Sequence, residues 1–165
     1  LEYAYKMIYP VLVITQTIPT VAIAPLLVLW MGYGILPKIM LILLTSFFPI
    51  TIGLLDGFHS VDRDMLNLLK KMGATSFQNF IHLKLPSSLG YFFAGLRISV
   101  SYSIIGAVVA EWLGGYDGLG VYMTRVRKSY SFDKMFAVIF LISGISLLLM
   151  YFVKKIQRWC MTWER

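Results

Sequence analysis

Charge is what this sequence has least of: Asp, Glu, Lys and Arg make up 14% of its 165 residues, where soluble proteins carry roughly 25%. Together with 58% hydrophobic residues and a mean hydropathy of +0.74, that scarcity excludes an ordinary soluble domain and a disordered chain alike. Cysteine is nearly absent. Cys160 stands alone, so no internal disulfide can form and a disulfide-stapled fold is excluded. The commonest signatures of catalysis are missing too: there is no G-x-x-x-x-G-K-[ST] phosphate loop, no H-E-x-x-H and no G-x-S-x-G. The chain opens on Leu1 without a signal-peptide pattern, and it is expected to begin inside a longer polypeptide.

What the sequence has instead is long uncharged runs. They predict an all-α fold, a polytopic transmembrane helical bundle in a single domain over 1–165, with spans at about 8–31, 38–56, 90–112 and 134–153 and a polar loop over 57–89. The first run carries Pro10, Pro19 and Pro25, and Thr15, Gln16, Thr17 and Thr20 make its middle polar. Proline frees backbone groups that lipid cannot satisfy, so this segment is expected to kink and to face protein or a water-filled path. In the third span Gly95, Ser99, Ser103 and Ala107 recur every four residues, a small-residue stripe that lets another helix approach closely. The first segment is expected to pack there. Gly114, Gly115, Gly118 and Gly120 form a turn, and 121–128 reads as a short interfacial helix.

The polar loop has a pattern of its own. Asp62 and Asp64 stand where helix starts favour acids, Met65, Leu66, Leu69 and Met72 recur at helical spacing, and Gly73 stops the run. A second amphipathic stretch places Phe77, Phe80, Ile81 and Leu85 on one side before Pro86, folding it back against the first. Leu68, Leu69 and Met72 are the expected apolar anchors for a partner, rimmed by Lys70 and Lys71.

The net charge of +7 serves orientation, because a nucleic-acid groove needs a water-facing scaffold that this composition does not supply. Four alternating spans put the loop on one side with both chain ends. That side holds nine basic residues (Lys6, Arg63, Lys70, Lys71, Lys84, Lys154, Lys155, Arg158, Arg165) against five opposite (Lys38, Arg125, Arg127, Lys128, Lys134), which favours a cytosolic loop. Among polar residues within or beside spans, Gln16 with its neighbour Pro19 is the candidate for a solute path. Glu111 reads either as part of that path or as an interfacial carboxylate paired with Arg125 or Arg127, and Arg97 is expected to snorkel to headgroups. His59 and His82 read as surface histidines, with no metal site.

The loop resembles that of the permease subunits of bacterial binding-protein-dependent ABC importers, whose pattern is Glu-Ala-Ala, three residues, Gly, nine residues, Ile-x-Leu-Pro. Here it runs Asn67-Leu68-Leu69, three residues, Gly73, nine residues from Ala74, then Leu83-Lys84-Leu85-Pro86. Gly73, Leu85 and Pro86 match, while the opening triplet and the Ile are replaced. Ile18-Pro19, Pro25-Leu26, Trp30-x-Gly32-x-Gly34, Phe48-Pro49, Gly95-Leu96-Arg97 and Ala110-Glu111 look like the nitrate, sulfonate and taurine branch, and 110–123 looks most like its importers of thiamine pyrimidine precursors.

The resemblance implies a multi-pass permease of the bacterial cell membrane that carries a small organic solute inward. It implies no cofactor and no catalysis in this chain. ATP hydrolysis would belong to a separate ATP-binding cassette subunit docked on the 64–86 loop, and solute delivery to an extracytoplasmic binding protein. A second permease copy would complete the path, and one or two further N-terminal spans are expected. The rival readings are an intramembrane enzyme, which would need paired Asp or Ser with His inside spans, and a structural anchor, which would not need three prolines and a Gln in one span.

Overall fold

A computed structural model describes residues 2–161, with the side chains of 2–6, 8 and 15 excepted. Arg165 and the side chains of Lys6 and Thr15 thus lie outside the described residues. Every regular element among the described residues is helical: α1 (Glu2–Gln16), α2 (Thr20–Met31), α3 (Leu36–His59), α4 (Arg63–Lys71), α5 (Ser76–Asn79), a π turn (Phe80–Lys84), α6 (Leu85–Gly114), α7 (Leu119–Lys128) and α8 (Phe132–Cys160).

The first apolar run does not form one kinked helix. It is divided at 17–19, while Pro10 and Pro25 stay inside helices. Proline pushes the residue before it towards extended backbone, and Thr17 helps close α1 by giving both its N–H and its hydroxyl to the Ile14 carbonyl, at 3.0 and 2.6 Å. Pro19 then caps α2 in extended geometry, its carbonyl accepting from Ala22 and Ile23. Among the described residues three stretches are long and apolar enough to cross a membrane: Leu36–His59, Ser76–Gly114 and Phe132–Cys160. The apolar helix Thr20–Met31 has 12 residues, roughly 18 Å against a hydrocarbon core of about 30 Å.

The small-residue stripe of α6 receives α3, not the first segment. A Cβ on Gly53 would come within 2.7 Å of the Tyr91 carbonyl oxygen, one on Gly57 within 2.8 Å of Ser88 Cα, and one on Gly95 would overlap the Pro49 carbonyl. Hydroxyls bind the two helices where the backbones approach. Ser99 donates to the Ser46 carbonyl at 2.9 Å, and the Ser46 and Ser103 hydroxyls meet at 2.6 Å. Such satisfied contacts act as polar glue where lipid supplies no hydrophobic drive, at about 0.6 kcal/mol each. The first segment reaches α6 further along: Ala24 and Leu27 of α2 form a buried core with Leu41, Val109 and Ala110. Helix α8 packs on the other flank through Val153, with Phe93 and Met161. Its remaining faces show Phe140, Leu147 and Tyr151 outward, as expected of a helix in lipid.

Candidate functional site: a docking loop and an inter-helix cavity

The loop is built by local rules. The Asp62 carboxylate accepts from the Asp64 N–H at 2.9 Å and opens α4; Asp64 in the first turn and Lys70 and Lys71 in the last complement the helix dipole. The exit needs a left-handed residue. Gly73, at φ +84°, supplies it: its N–H goes to the Lys70 carbonyl and that of Ala74 to the Leu69 carbonyl, both at 3.0 Å, a Schellman closure. Thr75 then starts α5 with a capping box: Gln78 N–H to the Thr75 hydroxyl at 3.3 Å, and Thr75 N–H to the Gln78 side-chain oxygen at 2.8 Å. This Thr-x-x-Gln pair is a functional-loop feature whose signature is present in the sequence as a capping box.

Side chains on α4 divide by face. Met65, Leu68 and Met72, spaced to share one side, are 51%, 54% and 75% exposed, whereas Leu66 and Leu69 are half-buried. Leu69 therefore does not stand with Leu68 and Met72 as an outward anchor. Phe77 does not fold back on α4 either; at 71% exposed it extends the outward apolar surface. Asn67 and Lys70 are exposed around it, and Ala74 is half-buried beneath.

Leu85 and Pro86 join the loop to α6 through the π turn. In an α-helix the Pro86 ring would strike the His82 carbonyl; the wider turn, with Leu85 N–H bonded to the Phe80 carbonyl five residues back, avoids that clash. Next to it Asn79 is 6% exposed and its side-chain oxygen has no hydrogen-bond partner among the described residues.

A separate cavity of about 530 Å³ opens at the α1–α2 break. Gln16, Pro19 and Thr20 line it from the break, Thr45 and Phe48 from α3, and Tyr102 and Gly106 from α6. Gln16 and Pro19, expected together on a path, are thus together here. Glu111 is elsewhere. Half-buried near the end of α6, its carboxylate accepts the Gly120 N–H at 2.6 Å, capping α7. Arg125 does not pair with it and donates to the Tyr116 carbonyl at 3.0 Å. Arg97 does not reach for headgroups alone; it donates to the Gln157 side chain of α8 at 2.8 Å.

Residues 2–160 match the model of the family described as binding-protein-dependent transport system inner membrane component. The chain belongs to this family. Similar proteins include the formylaminopyrimidine transport permease protein ThiX of Halalkalibacterium halodurans, 41% identical over 99% of this chain and 66% of the relative. The riboflavin transport system permease protein RibX of Chloroflexus aurantiacus is 29% identical over 99% of the chain and 61% of its own length. The taurine transport system permease protein TauC of Escherichia coli is 30% identical over 94% and 56%. The chain therefore spans about three fifths of the length of these relatives. In this inner membrane component the α4–α5 loop and the cavity are two of the places where the described residues depart from plain apolar packing.

Proposed function

We propose that this inner membrane component is the permease subunit of an ATP-driven importer, and that 64–86 is its coupling loop. The observation that carries this reading is the outward stripe of Met65, Leu68 and Met72 on α4, which lies between two of the long apolar stretches among the described residues, with Phe77 exposed at the very start of the second. Fully burying each such side chain contributes about 1.5–3 kcal/mol, enough for a few anchors to hold a partner. That partner is an ATP-binding cassette subunit, with Lys70 and Lys71 at the rim to meet an acidic cleft edge and steer assembly. The loop then lies in the cytosol, and an extracytoplasmic binding protein delivers a small organic solute to the opposite side. A second copy of the chain completes the path. The names of the relatives carry formylaminopyrimidine, riboflavin and taurine, so kinship leaves the cargo open.

Gly73→Asp tests the loop. At φ +84° any Cβ costs about 1–2 kcal/mol, so the change misdirects α5 without touching a span. The variant is expected to insert normally, to lose capture of the ATPase subunit and to lose solute-stimulated hydrolysis. Normal assembly and transport by Gly73→Asp would defeat the reading.

A further inference from the structure

The π turn at the head of α6 sits beside a residue that its loop has no evident reason to bury. Between Val61 and Ser88 only Asn79 is buried among the described residues, and its side-chain oxygen has no hydrogen-bond partner there. At 6% exposed it is enclosed by this chain alone. A polar group so placed bears the full cost of lost solvation, and π turns gather at functional sites in helices. We propose that the π turn is one of two registers of a hinge, and that Asn79 is the positioning residue that keeps the second register within reach of a docked partner. The two registers belong to the chain itself; their use in coupling rests on the importer reading.

The second register is the plain α-helix. In the turn as it stands the Leu85 N–H reaches the Phe80 carbonyl, five residues back. A plain helix takes the Ile81 carbonyl instead, and everything N-terminal to the turn then rotates by one residue, about 100°. The π turn holds one residue more than a plain helix does, so Asn79 now stands where Phe80 stands in the other register. On closing to α, Asn79 moves to the place that Gln78 holds now, which is exposed, and its amide meets water. Phe80 enters the buried place, which suits an apolar ring better than an unpaired amide. Pro86 opposes the change, because its ring strikes the His82 carbonyl in a plain helix. Each register thus carries one penalty, the buried amide in the first and the proline clash in the second. Met65, Leu68 and Met72 turn with the loop, so a partner bound to them meets a different face in each register and biases the choice.

The test reads the register in the full chain in detergent and needs neither cargo nor ATPase. Spin labels on Phe77→Cys and Ile98→Cys, both exposed positions, span the turn in a Cys160→Ser background. Pro86→Ala is expected to move most molecules to a second distance. Adding Asn79→Leu, which keeps the branched shape without the amide, is expected to bring them back, with the ratio of second to first distance falling at least about ten-fold, equivalent to about 1.4 kcal/mol. A Pro86→Ala distance that stays at its wild-type value, or one that Asn79→Leu leaves unmoved, overturns the proposal. Asn79→Leu alone reports even where Pro86→Ala fails to fold: hydrogen exchange at the Leu85 N–H is expected to slow by a similar factor, and unchanged or faster exchange overturns the proposal. In the assembled transporter Asn79→Leu is expected to keep ATPase capture and to slow uptake, and Pro86→Ala in that background to restore it, a rescue that a merely structural role for Asn79 does not give. Uptake left normal by Asn79→Leu, or not rescued, overturns the coupling role. Failure of the importer reading shows separately, as no ATPase capture by the unaltered chain while the two distances remain.

Discussion

At Gly118 the backbone takes φ +133° and passes so close to Glu111 that a Cβ would overlap the carboxylate. One residue thus explains the other: glycine lets the loop close, and the closed loop hands the Gly120 N–H to Glu111. A charge-assisted bond of this kind contributes about 1.5–3 kcal/mol. Glu111→Ala is therefore expected to loosen α7, with faster hydrogen exchange over 119–128 and a lower thermal midpoint, while Glu111→Gln retains an acceptor and loses less. Unchanged exchange in Glu111→Ala would remove the capping role. Gln16 belongs at this scale too. Gln16→Leu is expected to impair uptake while insertion and ATPase capture stay normal, and wild-type uptake kinetics would take Gln16 off the path. Gln16 was legible because an amide among three prolines is conspicuous. Thr45, Phe48 and Tyr102 were not, because each is ordinary in its own span and only the approach of three helices makes them neighbours. The purpose of Glu111 was hidden for a related reason, since its partner is a backbone N–H nine residues on.

Elements were read well where the cause is local. The glycine that ends α4 is written into the chain, as is the fold class, because helical spacing and left-handed closure depend on residues within one or two turns. The small-residue stripe of α6 was equally plain, but its partner was assigned to the first segment when it is α3. A stripe specifies how closely something approaches and not which helix does. The π turn was missed because Pro86 reads as a stop, whereas α6 runs through it to Gly114. Its cause suggests a test. Pro86→Ala removes the clash that a plain α-helix would suffer, so the turn is expected to relax and rotate 63–79 by about 100°, one residue's worth of helix. A changed spin-label distance between positions 77 and 98, with insertion intact, is the expected result. An unchanged distance would show that tertiary packing and not the proline holds the π turn.

For the whole molecule, α6 is the mast on which the other parts hang. It packs α3 along its small-residue stripe, takes α2 and α8 on its flanks, lines the cavity through Tyr102 and Gly106, and continues through the π turn into the loop. A displacement of the loop by a partner is thereby tied mechanically to the cavity wall. The most direct measurement of this arrangement is a cross-link. In the assembled transporter, with Cys160→Ser as background, a short photoactivatable reagent on Leu68→Cys is expected to give an adduct with the ATPase subunit, and the same reagent on Tyr116→Cys is expected to give none. No ATPase adduct from position 68, or one from position 116, would contradict the coupling loop.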